Sequence, residues 1–189
     1  MAEEKVQFNL HSVYYAKLTT AITGGVESYT YGTPVAIPGA VTLTLTQEGS
    51  IESFYADGIV YYQTVSNNGY SGSLEVARVP DQMLQDIWGV TLHTTDKTLQ
   101  ETANVQPSPF ALLYAIDNDI SDNLYVLYNV KANRPNIGST TNTETKTPQT
   151  QTMDISAPPR GDHKVMCRTT ADSPSTVRAG WFASVYEQA

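Results

Sequence analysis

The chain has 189 residues, 40% hydrophobic and 10% aromatic, which is enough to fold around a core of its own. Its 19 acidic and 11 basic residues give a net charge of −8, which argues against tight binding of nucleic acid by phosphate neutralisation. Its single cysteine excludes an intramolecular disulfide, and no apolar run approaches the roughly 20 residues of a membrane span.

The first part of the chain predicts strands. Residues 1–20 lack the apolar stretch of a signal peptide, and they predict either short strands or an extended amino-terminal arm. Gly24-Gly25 interrupts this pattern, and residues 26–31 resume it. Residues 41–46, VTLTLT, alternate strictly, so we expect a strand with three aliphatic side chains inward and three threonines outward.

The stretch 54–89 predicts a turn, a strand, a second turn, a second strand and a helix. Asp57-Gly58 is a turn signal, and residues 59–64 are rich in β-branched and aromatic side chains. Residues 67–69, Asn-Asn-Gly, predict a turn that brings residues 70–76 back antiparallel to 59–64.

The strand at 70–76 has one apolar and one polar face, because successive side chains point to opposite sides of a sheet. The predicted apolar face carries Tyr70, Gly72, Leu74 and Val76, and the polar face carries Ser71, Ser73 and Glu75.

Residues 80–88 predict the only helix of the chain. Pro80 suits its first turn, Asp81 lies near the positive end of the helix dipole, and Gly89 can end it in a left-handed conformation. One face is apolar at helical spacing, and we expect it to pack on the sheet: Met83, Leu84, Ile87 and Trp88.

The second half of the chain predicts further strands and one long polar segment. Residues 132–150 are poor in aliphatic side chains and predict a polar loop. In residues 151–157, Asp154 falls on a polar face between Thr152 and Ser156. The other predicted strands are 110–116, 124–130, 165–168 and 179–186. Many short strands, frequent turns and one helix predict a mainly β single domain, a β-sandwich or barrel-like fold with extended arms and loops.

No motif in the sequence indicates catalysis. The three histidines, His11, His93 and His163, have no metal-ligand spacing. The aspartates at 117, 119 and 122 lack the glycine and the closing carboxylate of a calcium loop, so we interpret them as a solvated turn. No phosphate-binding loop or nucleophile elbow is present. Glycosidase carboxylates have no fixed spacing, and the sequence leaves that class open. We expect no enzymatic activity, no cofactor and no metal.

The central stretch resembles a known family. FYADGIVYY, followed by NNGYSGSLEVARVPDQMLQDIWG, is similar to the signature of the major tail protein of long, non-contractile-tailed bacteriophages (siphophages) of Gram-positive bacteria. The similarity extends more weakly to NLHSVYYAKL, GTPVAIPGAVTLTLT and ETKTPQTQTMDISAPPRGDHKVM.

The resemblance implies a structural virion protein, a tail tube protein assembled in the host cytoplasm. Its hexameric rings would stack into a tube that conducts DNA without binding it specifically. Its partners would be further copies of the chain and other tail proteins, such as the tape measure and the tail terminator. The arms, the termini and the 132–150 loop would supply ring-to-ring contacts.

The resemblance leads to one hypothesis about the surface, and one alternative function stays open. A conduit for DNA should present neutral or acidic side chains, so Glu75 and Asp154 are candidates to face the lumen, with ordinary solvated carboxylates as the alternative. The alternative function is a non-enzymatic β-sandwich binding module, lectin-like or receptor-binding. Rings or tubes in electron micrographs would separate the first function from the second.

Overall fold

The computed structural model describes residues 5–141 and 147–188, and the chain in these ranges is mainly β with two short helices. The helices are α1 (Asp81–Trp88), which the sequence predicts, and α2 (Ser175–Gly180), which it does not predict. The strands are β1 (Gln7–Thr23), β2 (Val26–Tyr31), β3 (Val35–Ala36), β4 (Ala40–Glu48), β5 (Ile51–Ala56), β6 (Ile59–Val65), β7 (Gly69–Val76), β8 (Thr91–Leu92), β9 (Leu99–Gln100), β10 (Phe110–Asn118), β11 (Asn123–Ala132), β12 (Gln151–Ala157) and β13 (Met166–Arg168).

The main sheet is antiparallel and has the strand order β2-β1-β10-β11-β12-β7-β4, with β3 added to β1 and β13 to β11. Strand β11 joins its two halves, since residues 123–130 pair with β10 whereas Lys131 and Ala132 pair with β12. The two halves share one core, in which Leu74 and Met153 belong to the same buried cluster as Phe110 and Leu112. The fold is therefore a β-sandwich-like arrangement, as the sequence predicts.

The predicted alternation of β7 is present in the structure. Leu74 and Val76 are fully buried, whereas Ser71, Ser73 and Glu75 are partly exposed. Glycine is required at position 72, because a Cβ atom there would lie 1.8 Å from the carbonyl oxygen of Thr44 on β4. Close backbone approach explains why this small residue interrupts the apolar face.

Helix α1 lies against the core. It follows Pro80 and ends at Gly89, which has the left-handed φ of 64°. Met83, Ile87 and Trp88 are buried, and the Trp88 indole donates a hydrogen bond to the carbonyl oxygen of Ala132 at 3.2 Å. Leu84 is partly buried and packs against the same cluster.

The predicted pairing of residues 59–64 with 70–76 is wrong. Strand β6 pairs with β5, and β7 pairs with β4 and β12. Asp57 and Gly58 both have positive φ and close β5 onto β6 as a tight hairpin. The Asn67 side chain accepts a hydrogen bond from the Gly69 backbone at 3.0 Å, so residues 67–69 form a local turn and do not reverse the chain between β6 and β7.

Two other expectations are corrected. Val41 is 52% exposed, because the pairing of β4 with β7 shifts register between Ala40 and Thr42. Residues 179–186 are not a strand: α2 begins after Pro174 and is followed by turns that lay Trp181 on the outer face of β10 and β11. That face is apolar and is buried by residues of the carboxy-terminal segment. The sequence pattern of residues 179–186 cannot reveal this, because the face is formed by distant strands.

The amino-terminal and polar segments can be described in part. Residues 7–23 form the single long strand β1, which bends at a register shift between His11 and Tyr14. The predicted polar loop is exposed over most of residues 133–141 and all of 147–150, while residues 142–146 lie outside the described part of the chain. Within the described residues, no helix is long and apolar enough to cross a membrane.

Candidate assembly surfaces

Among the described residues, the hairpin of β5 and β6, residues 51–65, carries the largest group of exposed large apolar side chains and is here called the projecting hairpin. It forms a separate two-stranded sheet that continues the β4–β7 ribbon, since Ser66 N–H bonds to Ser50 C=O at 2.9 Å. Its large apolar side chains are all 50–72% exposed: Ile51, Phe54, Tyr55, Ile59, Val60, Tyr61, Tyr62 and Val65. Contiguous apolar patches of this kind are typical of interaction surfaces.

Both faces of the projecting hairpin are exposed to solvent. Phe54 lies opposite Tyr62 and Tyr55 opposite Val60, yet none of the four packs into the core clusters. A two-stranded hairpin is only marginally stable in water by itself. The sequence signal was the loss of alternation in this stretch, where apolar side chains occupy odd and even positions alike.

A second exposed ribbon is formed by the end of β1 and by β2. The pair is closed by Gly24 and Gly25, both with positive φ. Ile22 and Val26 near its tip are 69% and 70% exposed. The ribbon is shorter and less apolar than the projecting hairpin.

The outer side of β4, β7 and β12 is a continuous polar face. Cross-strand register places Thr44, Ser73 and Asp154 in one row and Thr42, Glu75 and Thr152 in the next. The polar face consists of Thr42, Thr44, Thr46, Ser71, Ser73, Glu75, Thr152, Asp154 and Ser156. Glu75 and Asp154, predicted on two separate strands, therefore share one face of one sheet.

The charges of the polar face are few. The Glu75 carboxylate accepts a hydrogen bond from the Thr150 hydroxyl at 2.6 Å, and the Ser71 hydroxyl donates to Glu48. Lys131 lies opposite Ser156 and is the cation at the β11 border of the face. Small hydroxyl side chains dominate the remainder, so the face offers few groups for binding phosphates.

The sheet that carries the polar face ends in an edge. Strand β4 is last in the strand order and, within the described residues, has β7 as its only paired strand, although β1 passes close to it. Edge strands carry backbone N–H and C=O groups that can pair with another chain.

The buried side chain of Arg160 anchors the carboxy-terminal segment through Glu187. Arg160 is 3% exposed and donates to Asp162 at 2.6 and 2.8 Å, to Glu187 at 2.5 and 2.9 Å, and to the Tyr31 hydroxyl at 2.8 Å. Its guanidinium also lies 4.4 Å from the ring centroid of Tyr29. The hydrogen bonds from Arg160 lower the pKa of Asp162 to about 2 and hold the pKa of Glu187 below its ordinary value.

The ion pairs of Arg160 predict that the stability of the fold decreases in acid. Both carboxyl groups have depressed pKa values in the folded state, so their stabilisation is complete above the unfolded pKa of about 4 and is lost as pH falls toward 2. Asp162→Asn with Glu187→Gln should lower the melting temperature at pH 6 and reduce its fall between pH 6 and pH 3. Asp172→Asn, at an exposed carboxylate, is the control. If the melting temperature falls equally between pH 6 and pH 3 in the wild type and the double variant, Asp162 and Glu187 are not the source of the acid sensitivity.

The histidines and the aspartate turn are placed as follows. His93 Nδ1 lies 3.1 Å from Asp96 on the surface, and His163 is in the turn after Arg160. Asp119 accepts a hydrogen bond from the Lys5 backbone at 3.0 Å. Asp117 belongs to strand β10 and not to the predicted turn. Asp117 and Asp122 both lie beside His11, a proximity that the sequence could not reveal.

Comparison with known proteins adds no identification: no protein-family model matches the chain, and no curated protein matches it.

Proposed function

We propose that the chain is a tail tube protein of a long, non-contractile-tailed bacteriophage, a structural and non-enzymatic protein that assembles into stacked hexameric rings. The observation that carries the proposal is the projecting hairpin, with eight large apolar side chains exposed on a domain that has a complete core elsewhere. The similarity of the 54–89 stretch to the tail tube signature supports the same function.

Ring formation uses the sheet edges. The free edge of β4 pairs with a neighbouring copy, so that the sheets of successive subunits continue until the ring closes. In the closed ring no sheet edge is exposed, so no further copy can add to the same ring. The projecting hairpin then contacts the next ring of the stack, where its aromatic side chains become buried.

The polar face lines the channel in this arrangement. Glu75 and Asp154 repel phosphates, and the threonine and serine hydroxyls give DNA few charged groups to bind. The outer face of β10 and β11 is already covered by the carboxy-terminal segment around Trp181, so that face is directed away from the channel.

Electron microscopy of the purified full-length protein tests the proposal. We expect rings or tubes with a central channel, promoted by high protein concentration. Monodisperse monomers under all concentrations and salts tested would contradict self-assembly and favour the alternative of a binding module. Sugar or cell-surface binding by such monomers would identify that alternative.

The lumen assignment predicts a charge effect. Asp154→Lys should still allow tubes to form but should make them bind DNA, with an affinity that falls steeply with salt, because each added phosphate contact releases counterions. The matched control is Asp172→Lys, which makes the same charge change at an exposed position off the polar face. Binding measured by fluorescence anisotropy should rise for Asp154→Lys alone. Equal DNA binding by both variants would contradict the assignment of Asp154 to the lumen.

A further inference from the structure

Three side chains from separate parts of the fold converge at the end of the β10–β11 turn. His11 belongs to β1, Asp117 to β10, and Asp122 immediately precedes β11. Their nearest donor atoms all lie within 4.8 Å of one another. His11 Nε2 is 2.7 Å from Asp117 Oδ1 and 3.6 Å from Asp122 Oδ2.

The secondary structure explains this convergence. His11 pairs with Ala115 across β1 and β10, so Asp117 is its diagonal neighbour on the same face of the sheet. Asp122 is positioned from the other side, because the Arg178 guanidinium donates to its backbone carbonyl. The donors are held by paired strands and by the carboxy-terminal segment.

The Nε2 atom of His11 is not satisfied by hydrogen bonding. This atom is buried and, among the described residues, has no hydrogen-bond partner of acceptable geometry, although Asp117 Oδ1 is so close. A proton on Nε2 would not point at that oxygen, and a lone pair on Nε2 would face two carboxylates. The lone-pair arrangement is unfavourable by itself, and it is relieved either by a proton, which makes ion pairs with both carboxylates, or by a metal cation bound between the three atoms.

The other ring nitrogen of His11 has a hydrogen-bond partner. His11 Nδ1 lies 2.8 Å from the Ser12 hydroxyl, which fixes the orientation of the imidazole ring. Bonds of about 2.1 Å at tetrahedral angles would separate two ligand atoms by about 3.4 Å. The His11–Asp122 spacing of 3.6 Å matches this value, whereas the His11–Asp117 spacing of 2.7 Å must widen when an ion binds. The side chains are 33–49% exposed, which leaves room for water as a further ligand.

We propose that His11, Asp117 and Asp122 form a binding site for a divalent transition-metal ion of the Zn²⁺ class. One imidazole nitrogen with two carboxylate oxygens suits Zn²⁺ better than Ca²⁺ or Mg²⁺, which prefer all-oxygen sites. The bound ion ties the amino-terminal strand to the β10–β11 turn. This proposal does not depend on tube assembly.

Calorimetric titration of the tag-free, metal-stripped full-length chain with ZnCl₂ tests the site. We expect one Zn²⁺ per chain, a higher melting temperature with Zn²⁺, and no such rise with Mg²⁺. His11→Ala should weaken Zn²⁺ binding by about 100-fold or more, since it removes a direct ligand. His93→Ala removes an exposed histidine that faces a single carboxylate and should leave Zn²⁺ affinity unchanged.

A second variant covers the case in which His11→Ala does not fold. Asp122→Asn keeps the side-chain shape at a partly exposed turn position and should weaken Zn²⁺ binding by about 10-fold or more. Co²⁺ bound to the wild-type chain should broaden amide resonances around residues 11, 117 and 122 in NMR spectra. The proposal is overturned if wild type binds no Zn²⁺, if folded His11→Ala or Asp122→Asn binds as wild type does, or if broadening centres elsewhere.

Discussion

Phe54→Ser combined with Tyr62→Ser should abolish tube formation and leave the melting temperature of the isolated subunit nearly unchanged. Phe54 and Tyr62 lie opposite each other on the projecting hairpin and are 61% and 63% exposed, so most of each residue is already in contact with solvent in the subunit. In the stack they would be buried, and each buried aromatic side chain contributes about 1.5–3 kcal/mol. In the proposed ring the loss would recur in every subunit, so we expect it to prevent assembly.

The measurement is sedimentation of assembled protein together with electron microscopy, and thermal unfolding of the soluble fraction. Leu92→Ser combined with Leu99→Ser is the matched control, because these two side chains also lie opposite each other on a two-stranded sheet, are 41% and 37% exposed, and belong to neither the projecting hairpin nor the amino-terminal arm. We expect this control variant to assemble. Loss of assembly in the control but not in the variant of the projecting hairpin would place the contact at β8 and β9 instead.

Trp88→Ala should lower the free energy of unfolding by about 3–5 kcal/mol, as expected when a large buried aromatic side chain is replaced by a methyl group. Trp88 is 1% exposed, fills the core together with Met83 and Ile87, and donates to the Ala132 carbonyl. Truncation removes this packing and leaves that buried carbonyl without its indole donor.

Urea unfolding followed by far-ultraviolet circular dichroism measures the change. Trp88→Phe retains much of the volume and should cost distinctly less than Trp88→Ala. Leu92→Ala, at a 41% exposed position just after the helix, should change stability by less than about 1 kcal/mol. An unchanged unfolding midpoint for Trp88→Ala would contradict the role assigned to α1 in the core.

Local patterns predicted the elements whose environment is set by neighbours along the chain. The helix at 81–88 could be read from Pro80, Gly89 and the spacing of its apolar side chains. The strands of residues 70–76 and 151–157 could be read from strict alternation, which follows from burial of one face. Their polar faces, with Glu75 and Asp154, followed from the same alternation.

Pairing was predicted less well, because it depends on which strands meet in space. The Asn-Asn-Gly sequence at 67–69 favours a reversal, yet the reversal occurs at Asp57-Gly58. Residues 67–69 continue a long ribbon, in which the Asn68 N–H bonds to the Glu48 carbonyl at 2.8 Å. The aromatic side chains of residues 181–186 resemble strand residues, but they cover an apolar sheet face that is built from distant segments.

The sequence by itself determined that this is a mainly β, acidic, single-cysteine chain with one amphipathic helix at 81–88 and two strands of alternating polarity. Those properties depend on composition and on periods of two or 3.6 residues, which are local. Only the tertiary structure decided that Glu75 and Asp154 share one face, that residues 51–65 pack against no core, and that His11 meets Asp117 and Asp122. Each of these depends on contacts between residues far apart in the chain, which no local period encodes.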